Sequence, residues 1–253
     1  MTQCKFFRRA ETIPTAMIQI ENVHKAFGNI AAVDGITFTA QDGAITGLVG
    51  PNGSGKTTTL RLMTGLSRAD KGRVLVDGLN PAEQPIHARR RIGALTDSLG
   101  NYPRLTAREH LQYFGELQGV GEEELQPRIS QLIDQFDLSA IADRRAQGFS
   151  QGERMKVALA RAIVHDPPNV LLDEPGNGLD VLSARTLRAL LAGFRAAGKC
   201  VIISSHVMAE IAALCDQVVI ILRGRVAAQG VPEELLRSTG TSNLEEAFLA
   251  LTV

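Results

Sequence analysis

The sequence predicts an α/β fold with a helical segment inserted into it. Short apolar runs of strand length recur along the chain and alternate with stretches of helical periodicity. One apolar run leads directly into a glycine-rich loop at residues 50–57. From residue 99 to residue 165, helical patterns replace the strand patterns. These observations favour a single α/β core interrupted by a helical lobe.

Composition limits the classes of function. The chain has 253 residues, of which 44% are hydrophobic, enough to bury a large core. Its 27 basic and 27 acidic residues give a net charge of zero, so we expect no general attraction to nucleic acid. No apolar run approaches the roughly 18 residues that cross a bilayer, so a membrane role would need another polypeptide. The cysteines at positions 4, 200 and 215 lack metal-ligand or disulfide spacing, which favours a reducing cytosol.

The expected boundaries follow the changes in pattern. Residues 1–16 show no sustained period and are predicted to be a flexible tail, and Met17 is a candidate natural start because it directly precedes the first strand. We expect one domain over 17–253, with its core in 17–98 and 166–240. The helical insertion spans 99–165 and the C-terminal helix 241–253. Strands are expected at 17–23 and 35–40, separated by a turn.

The glycine-rich loop fits the phosphate-binding pattern G-x-x-x-x-G-K-[ST] at every fixed position. A strand precedes it and a helix follows, so backbone N–H groups and the positive end of the helix dipole would face an anion. Lys56 would reach the β- and γ-phosphates, and the Thr57 hydroxyl would bind Mg²⁺. The alternative is a glycine-rich turn that only caps a helix. The predicted phosphate-binding residues are Gly50, Pro51, Asn52, Gly53, Ser54, Gly55, Lys56, Thr57 and Thr58.

An acidic pair, Asp173 and Glu174, ends the apolar run at residues 170–172. Because side chains alternate along a strand, the two carboxylates cannot do the same job. One can hold Mg²⁺ and the other can polarise the water that attacks the γ-phosphate. The alternative is a solvated turn.

Three further sites each have a functional and a structural interpretation. Phe27 could stack on a nucleobase or pack in the core. Ser150 and Glu153 fit an ordinary capping box, but Gly152 between them would let an anion approach exposed helix amides. His206 follows a strand and could hydrogen-bond a γ-phosphate, or serve as a helix cap or buried structural residue.

Taken together, the motifs resemble those of ATP-binding cassette (ABC) ATPases over nearly the whole chain from residue 17. The order is an aromatic residue, the phosphate loop, a helical insertion, the signature at 150–153, the acidic pair, the segment 178–180 and a histidine. The resemblance implies a P-loop NTPase (RecA-like) core with an antiparallel β subdomain and an inserted helical subdomain. It also implies that the cofactors are ATP and Mg²⁺.

The resemblance also implies the role of each nucleotide-binding residue. Phe27 would stack on adenine, and Lys56 with the loop amides would bind the phosphates. Thr57 and Asp173 would hold Mg²⁺. Glu174 would act as general base for the attacking water.

Other residues would act across a dimer. The resemblance implies that His206 contacts the γ-phosphate and that Asp180 lies at the subunit interface. Ser150 and Gly152 would contact the γ-phosphate bound to the opposite chain. This arrangement is a head-to-tail homodimer with two ATP molecules between the chains.

The segments 102–111 and 243–248 are similar to those of exporter ATPases whose membrane half is a separate chain, with the sodium-exporter type nearest. The resemblance therefore implies a polytopic permease partner and a peripheral position on the cytoplasmic face of the membrane. One alternative is a soluble ATP-gated clamp on nucleic acid or ribosomes, although the chain has neither a second cassette nor a basic balance. A nucleotide-binding regulatory module without turnover is another.

The chain departs from the family pattern in three places. Asp97 stands where the family has glutamine, so that residue's metal contact is not carried over. Gln151 and Glu153 replace the usual glycine and glutamine of the signature. The pair at 176–177, glycine and asparagine, replaces threonine and serine.

Overall fold

The computed structural model describes residues 17–96, 100–177 and 179–252. The predicted N-terminal tail, Asp97 and Gly178 lie outside the described residues. The strands are β1 (Ile18–Phe27), β2 (Ile30–Ala40), β3 (Ile45–Val49), β4 (Lys71–Val76), β5 (Ile92–Leu95), β6 (Asn169–Asp173), β7 (Cys200–Ser205), β8 (Gln217–Leu222) and β9 (Arg225–Gly230). The helices are α1 (Lys56–Met63), α2 (Pro85–Arg90), α3 (Ala107–Leu117), α4 (Glu122–Gln135), α5 (Gln151–Ala162), α6 (Val181–Ala196), α7 (Met208–Leu214), α8 (Pro232–Thr239) and α9 (Leu244–Thr252).

A six-stranded sheet carries the core, in the order β5-β6-β7-β3-β8-β9. Its first five strands are parallel, and β9 pairs antiparallel with β8. Every residue of β3, β6 and β7 is buried, as expected for strands covered on both faces. Because these three strands are adjacent and parallel, the segments that follow them meet at one edge of the sheet, where ligands bind in open α/β folds.

A second, antiparallel sheet has the order β2-β1-β4. The two strands are longer than predicted, because β1 continues to Phe27 and β2 begins at Ile30, and the turn between them is confined to residues 28–29. The pairing shifts register between Val23 and His24 and again before Ala26. These bulges break the alternation of apolar and polar residues by which a strand is recognised in a sequence. The full length of β1 could therefore not be predicted from this pattern.

The segment between β5 and β6 is helical in its described residues and contains α3, α4 and α5. Both α3 and α5 begin with a capping box, at Thr106 with Glu109 and at Ser150 with Glu153, as the sequence predicts. Apolar residues of these helices, among them Leu111, share one buried cluster with β3, β6 and β7. The helical lobe therefore packs against one face of the sheet, where it contacts β3, β6 and β7.

In the described part of the chain, α8 and α9 follow β9, and α9 lies within the C-terminal helix predicted at 241–253. Among the described residues, no helix is both long enough and apolar enough to span a bilayer. The arginines at 89–91 lie at the end of α2, and Arg91 binds Asp77 at 2.6 Å.

Candidate nucleotide-binding site

The loop between β3 and α1 has the backbone shape that its glycines predict. Gly55 has a φ of 111°, and a Cβ there would lie 2.5 Å from the carbonyl oxygen of Ala32. A Cβ on Gly50 would lie 2.2 Å from the carbonyl oxygen of Ile221. Neither position can therefore hold another residue without moving the backbone. The crest of the loop, from Pro51 to Gly53, is exposed.

Lys56 is the first residue of α1 and its side chain is 6% exposed. Its Nζ donates hydrogen bonds to the carbonyl oxygens of Gly50 at 2.7 Å and Pro51 at 3.3 Å. The ammonium therefore lies inside the curve of the loop. Thr57 and Thr58 follow in the first helical turn and are partly exposed.

The acidic pair lies where β6 ends. Asp173 is 4% exposed, and Glu174 follows it with a φ of 48°, in the left-handed region that residues with a Cβ rarely adopt. Such a conformation costs about 1–3 kcal/mol. It turns Glu174 away from the direction of Asp173, so the two adjacent carboxylates have different surroundings. The alternative of a solvated turn does not fit the burial of Asp173.

Glu174 connects Lys56 with His206. Its Oε2 lies 2.9 Å from Nδ1 of His206, and its Oε1 lies 3.8 Å from Nζ of Lys56. His206 comes directly after β7 and its side chain is 48% exposed, so it is neither a buried structural residue nor the cap of α7, which is Val207. A carboxylate between an imidazole and an ammonium at the end of parallel strands suits proton transfer from water at a phosphate.

Ser204 is a residue of this site that sequence reasoning assigned no role. It is fully buried on β7 and lies opposite Asp173 in the β6–β7 register. Its hydroxyl donates to Oδ1 of Asp173 at 2.5 Å and accepts from the backbone N–H of Glu174 at 2.9 Å. Only the strand register could have revealed this contact, because the residues are far apart in sequence.

Phe27 lies at the end of β1 and is 53% exposed, so the alternative of a core residue is wrong. The ammonium of Lys25 lies 5.5 Å from the centroid of its ring. Asp70, from the loop before β4, accepts a hydrogen bond from Lys25 at 2.7 Å and another from the N–H of Ala26 at 2.7 Å. The Lys25 hydrogen bond holds the pKa of Asp70 below its usual value. Asp70, which sequence reasoning also missed, thus anchors the strand end that presents Phe27.

The signature residues lie at the start of α5. The Ser150 hydroxyl accepts from the N–H of Glu153 at 3.2 Å, and the Glu153 carboxylate accepts from the N–H of Ser150 at 2.7 Å. Partial burial opposes ionisation of Glu153, but the Ser150 bonds and the nearby Arg144 hold its pKa below the usual value. Ser150 is exposed, so a capped helix start is also open to a ligand.

Gly152 has room around it within its own chain. A Cβ at this position would meet nothing nearer than the hydroxyl of Ser183, at 4.0 Å. Ser183 is in the first turn of α6, and its N–H donates to the side chain of Asp180, the residue that caps this helix. The signature therefore adjoins Asp180, whereas the side-chain hydrogen bonds of Ser150 stay within its own helix and do not reach Lys56.

The donor set at this site suits Mg²⁺ bound together with a nucleotide. Among the described residues, no group of three or more His, Cys, Asp or Glu side chains could hold a metal alone. The candidate protein ligands are oxygens, the Asp173 carboxylate and the Thr57 hydroxyl. Mg²⁺ prefers such oxygen ligands and commonly takes one or two from protein and the rest from phosphates and water. The residues present therefore fit a magnesium–nucleotide complex.

Comparisons with known proteins agree with this geometry. Residues 33–177 match the model of the family described as "ABC transporter". The chain is 40% identical over 225 residues to the ABC transporter ATP-binding protein NatA of Bacillus subtilis (strain 168), covering 88% of this chain and 92% of NatA. It is 37% identical over 226 residues to the Nod factor export ATP-binding protein I of Burkholderia lata, covering 89% of this chain and 74% of that protein.

Solved structures of similar fold point the same way. The ATP-binding subunit of an ABC transporter superposes with a TM-score of 0.89 at 28% identity, over 94% of this chain and all of that one. A dimeric ATP-binding cassette in a post-hydrolysis state, bound to ADP and phosphate, superposes with a TM-score of 0.77 at 25% identity, over 85% and 98% of the two chains. These findings support the predicted transporter ATPase and not the nucleic-acid clamp or the module without turnover. The chain belongs to the ABC transporter family and is one of its ATP-binding, ATP-hydrolysing subunits.

Proposed function

We propose that this chain hydrolyses ATP to drive an exporter whose membrane half is a separate polytopic permease, and that it works at the cytoplasmic face of the membrane. The observation that carries the proposal is the convergence of Lys56, Glu174 and His206, with distances of 3.8 and 2.9 Å, at the edge of a parallel sheet. The name of one relative refers to export, which supports this direction of transport.

Within one chain, the loop amides and Lys56 bind the β- and γ-phosphates, and Phe27 stacks on the adenine. Thr57 and Asp173 hold Mg²⁺, which neutralises phosphate charge when it is bound. Lys56 sits 3.8 Å from Glu174, so a γ-phosphate bound by Lys56 would also lie near this carboxylate.

Glu174 takes a proton from the attacking water, and His206 orients it. Nδ1 of His206 donates to Oε2 of Glu174 at 2.9 Å, because a carboxylate oxygen only accepts. This bond fixes the Glu174 side chain. Nε2 of His206 donates to the γ-phosphate when it too carries a proton, because phosphate oxygens accept. The left-handed backbone at Glu174 directs the carboxylate toward Lys56 rather than along β6.

The signature serves a second copy of the chain. Ser150 is exposed, and its hydroxyl caps α5. Gly152 has free space around it, so packing within its own chain does not explain why this residue is a glycine. In a head-to-tail homodimer, both contact the γ-phosphate held by the opposite loop, and Asp180 lies at the interface. Hydrogen bonds to charged groups contribute about 1.5–3 kcal/mol each, and a near-complete switch needs about 5.5 kcal/mol. Two or three such bonds at each of two sites therefore suffice to close the dimer, and loss of the γ-phosphate reopens it.

An aromatic groove on the helical lobe is the proposed docking surface for the permease. It has a volume of about 500 Å³ and is lined by Tyr102, Pro103, Arg104, Leu105 and Tyr113. The side chains of Tyr102 and Tyr113 are 48% and 43% exposed, although the centroids of their rings lie only 6.0 Å apart. Apolar exposure of this kind marks protein interfaces.

A buried histidine gives this groove a fixed shape. Burial lowers the pKa of His110 and so favours the neutral ring. Its Nε2 accepts from the N–H of Tyr102 at 2.8 Å, and its Nδ1 donates to the carbonyl oxygen of Thr106 at 2.7 Å. The groove is therefore preorganised for a partner.

Two experiments test the proposal. The variant Glu174→Gln is expected to bind ATP and lose Mg²⁺-dependent hydrolysis by roughly 10²- to 10⁴-fold, the usual contribution of a general base. Unchanged turnover would remove Glu174 from the mechanism.

The partner is tested by isolating the tagged chain from gently solubilised membranes and identifying what accompanies it by mass. We expect a polytopic membrane protein with the unmodified chain and with Ile30→Glu, an exposed position outside the groove. We expect its loss with Tyr113→Glu, while hydrolysis by the isolated chain persists. A ribosomal or DNA-bound partner in place of a membrane protein would contradict the exporter function.

A further inference from the structure

The buried hydroxyl of Ser204 contacts both residues of the acidic pair. It donates to Oδ1 of Asp173 at 2.5 Å, and the backbone N–H of Glu174 donates to it at 2.9 Å. Ser204 is fully buried, so water cannot replace either bond. One hydroxyl therefore determines the orientation of a carboxylate on β6 and the position of the peptide group that follows it.

The second bond coincides with the left-handed conformation of Glu174, whose φ is 48°. If Glu174 continued β6 in extended conformation, its N–H would follow the strand ladder and its side chain would leave on the opposite face from Asp173. The bond to Ser204 instead holds this N–H at the end of the ladder, where the chain leaves the sheet. The carboxylate then lies beside Lys56 and His206.

We propose that Ser204 is a positioning residue for the hydrolysis reaction, which orients the Asp173 carboxylate toward Mg²⁺ and sets the direction in which Glu174 leaves the strand. The inference rests on the proposed roles of Asp173 and Glu174. The hydroxyl of Ser204 is used by the two acidic residues, so we expect it to contact neither nucleotide nor metal. Its removal frees the carboxylate to rotate and leaves the Glu174 N–H without a partner.

The test measures the Mg²⁺ concentration that half-saturates binding of a fluorescent ATP analogue. Loss of a residue that orients a metal ligand typically lowers metal affinity about 10- to 100-fold. Ser204→Ala is expected to raise the half-saturating Mg²⁺ concentration by about 10-fold or more. Binding of the analogue in EDTA is expected to stay unchanged, because the loop and Phe27 are not altered.

Thr46→Val is the matched control. Thr46 is 1% exposed on the neighbouring strand β3, and its hydroxyl makes no hydrogen bond within the described part of the chain. It tests whether deleting any buried hydroxyl from this sheet shifts the Mg²⁺ dependence, and we expect no shift. If Ser204→Ala does not fold, Ser204→Cys decides the question, because a thiol fills similar space but hydrogen-bonds weakly.

Asp173→Asn, measured in the same titration, separates the positioning role of Ser204 from the metal-binding role of Asp173. A shift with Asp173→Asn but less than about twofold with a folded Ser204 variant overturns the role of Ser204. No shift with either variant overturns the proposed metal role of Asp173. An equal shift with Thr46→Val also overturns the inference, because the effect would then be general to the sheet.

Discussion

Replacing Gly152 by alanine is expected to make the folded chain more stable and its ATP-bound dimer weaker. The position is in the first turn of α5, and a Cβ there would meet nothing nearer than 4.0 Å. Alanine is a better helix former than glycine by about 0.5–1 kcal/mol, so the monomer should lose nothing and gain up to that amount.

The dimer should respond in the opposite direction if Gly152 contacts a phosphate on the other chain. Inserting a methyl group into a close-packed contact costs about 1–3 kcal/mol. Because a dimer of this symmetry contains the contact twice, the total is about 2–6 kcal/mol, or roughly a 30-fold or larger rise in the dimer dissociation constant.

The assay is sedimentation with ATP and Mg²⁺ of chains that also carry Glu174→Gln, so that nucleotide is not consumed. Thermal unfolding of the same samples without nucleotide reports monomer stability. A variant with an unchanged or raised Tm and a weakened dimer supports the reasoning. An unweakened dimer, or a Tm loss large enough to explain the weakening, would refute it.

Ser150→Ala and Thr106→Ala both remove the side chain of a capping box, so each should lower the free energy of unfolding by about 1 kcal/mol, measured by thermal unfolding. Only Ser150→Ala should also weaken ATP-dependent dimerisation. Equal effects of the two variants on the dimer would show that Ser150 acts only as a helix cap. Asp70→Ala should lower the affinity for ATP, by no more than Phe27→Ala does, and should leave the affinity for inorganic triphosphate unchanged. A loss of affinity for both ligands would contradict the role of Asp70 in presenting the aromatic ring. Burial lowers the pKa of His165 from 6.5 to about 4, so the unfolded chain binds more protons than the folded chain between these pH values. The free energy of unfolding should therefore fall as the pH drops from 6.5 to 4. This pH dependence should be weaker in His165→Gln, and an unchanged dependence would contradict the lowered pKa of His165.

The parts of the fold that the sequence predicts correctly depend on local patterns. The phosphate loop, the capping boxes at Thr106 and Ser150 and the buried strand before Asp173 each involve residues within a few positions of one another. Their chemistry, such as a hydroxyl that accepts from an amide three residues later, acts over one turn. The pattern alone therefore predicts them.

The features that the sequence does not predict depend on pairing between distant segments. Phe27 belongs to β1 because the strand continues past its bulges, and a bulge disrupts the alternation by which a strand is recognised. Ser204 meets Asp173 only because β6 and β7 are neighbours in this register. Asp70 reaches the end of β1 across the antiparallel sheet, which no local motif encodes.

The most direct test of the proposed head-to-tail dimer is the mass of the Glu174→Gln chain in solution with saturating ATP and with saturating ADP, each with Mg²⁺. We expect a dimer with ATP and a monomer with ADP, because in this arrangement only the γ-phosphate is shared between one chain's loop and the other's signature. The further substitution Lys56→Ala should abolish the dimer in ATP. A chain that binds ATP and remains monomeric at every accessible concentration would contradict the claim that two copies complete each site.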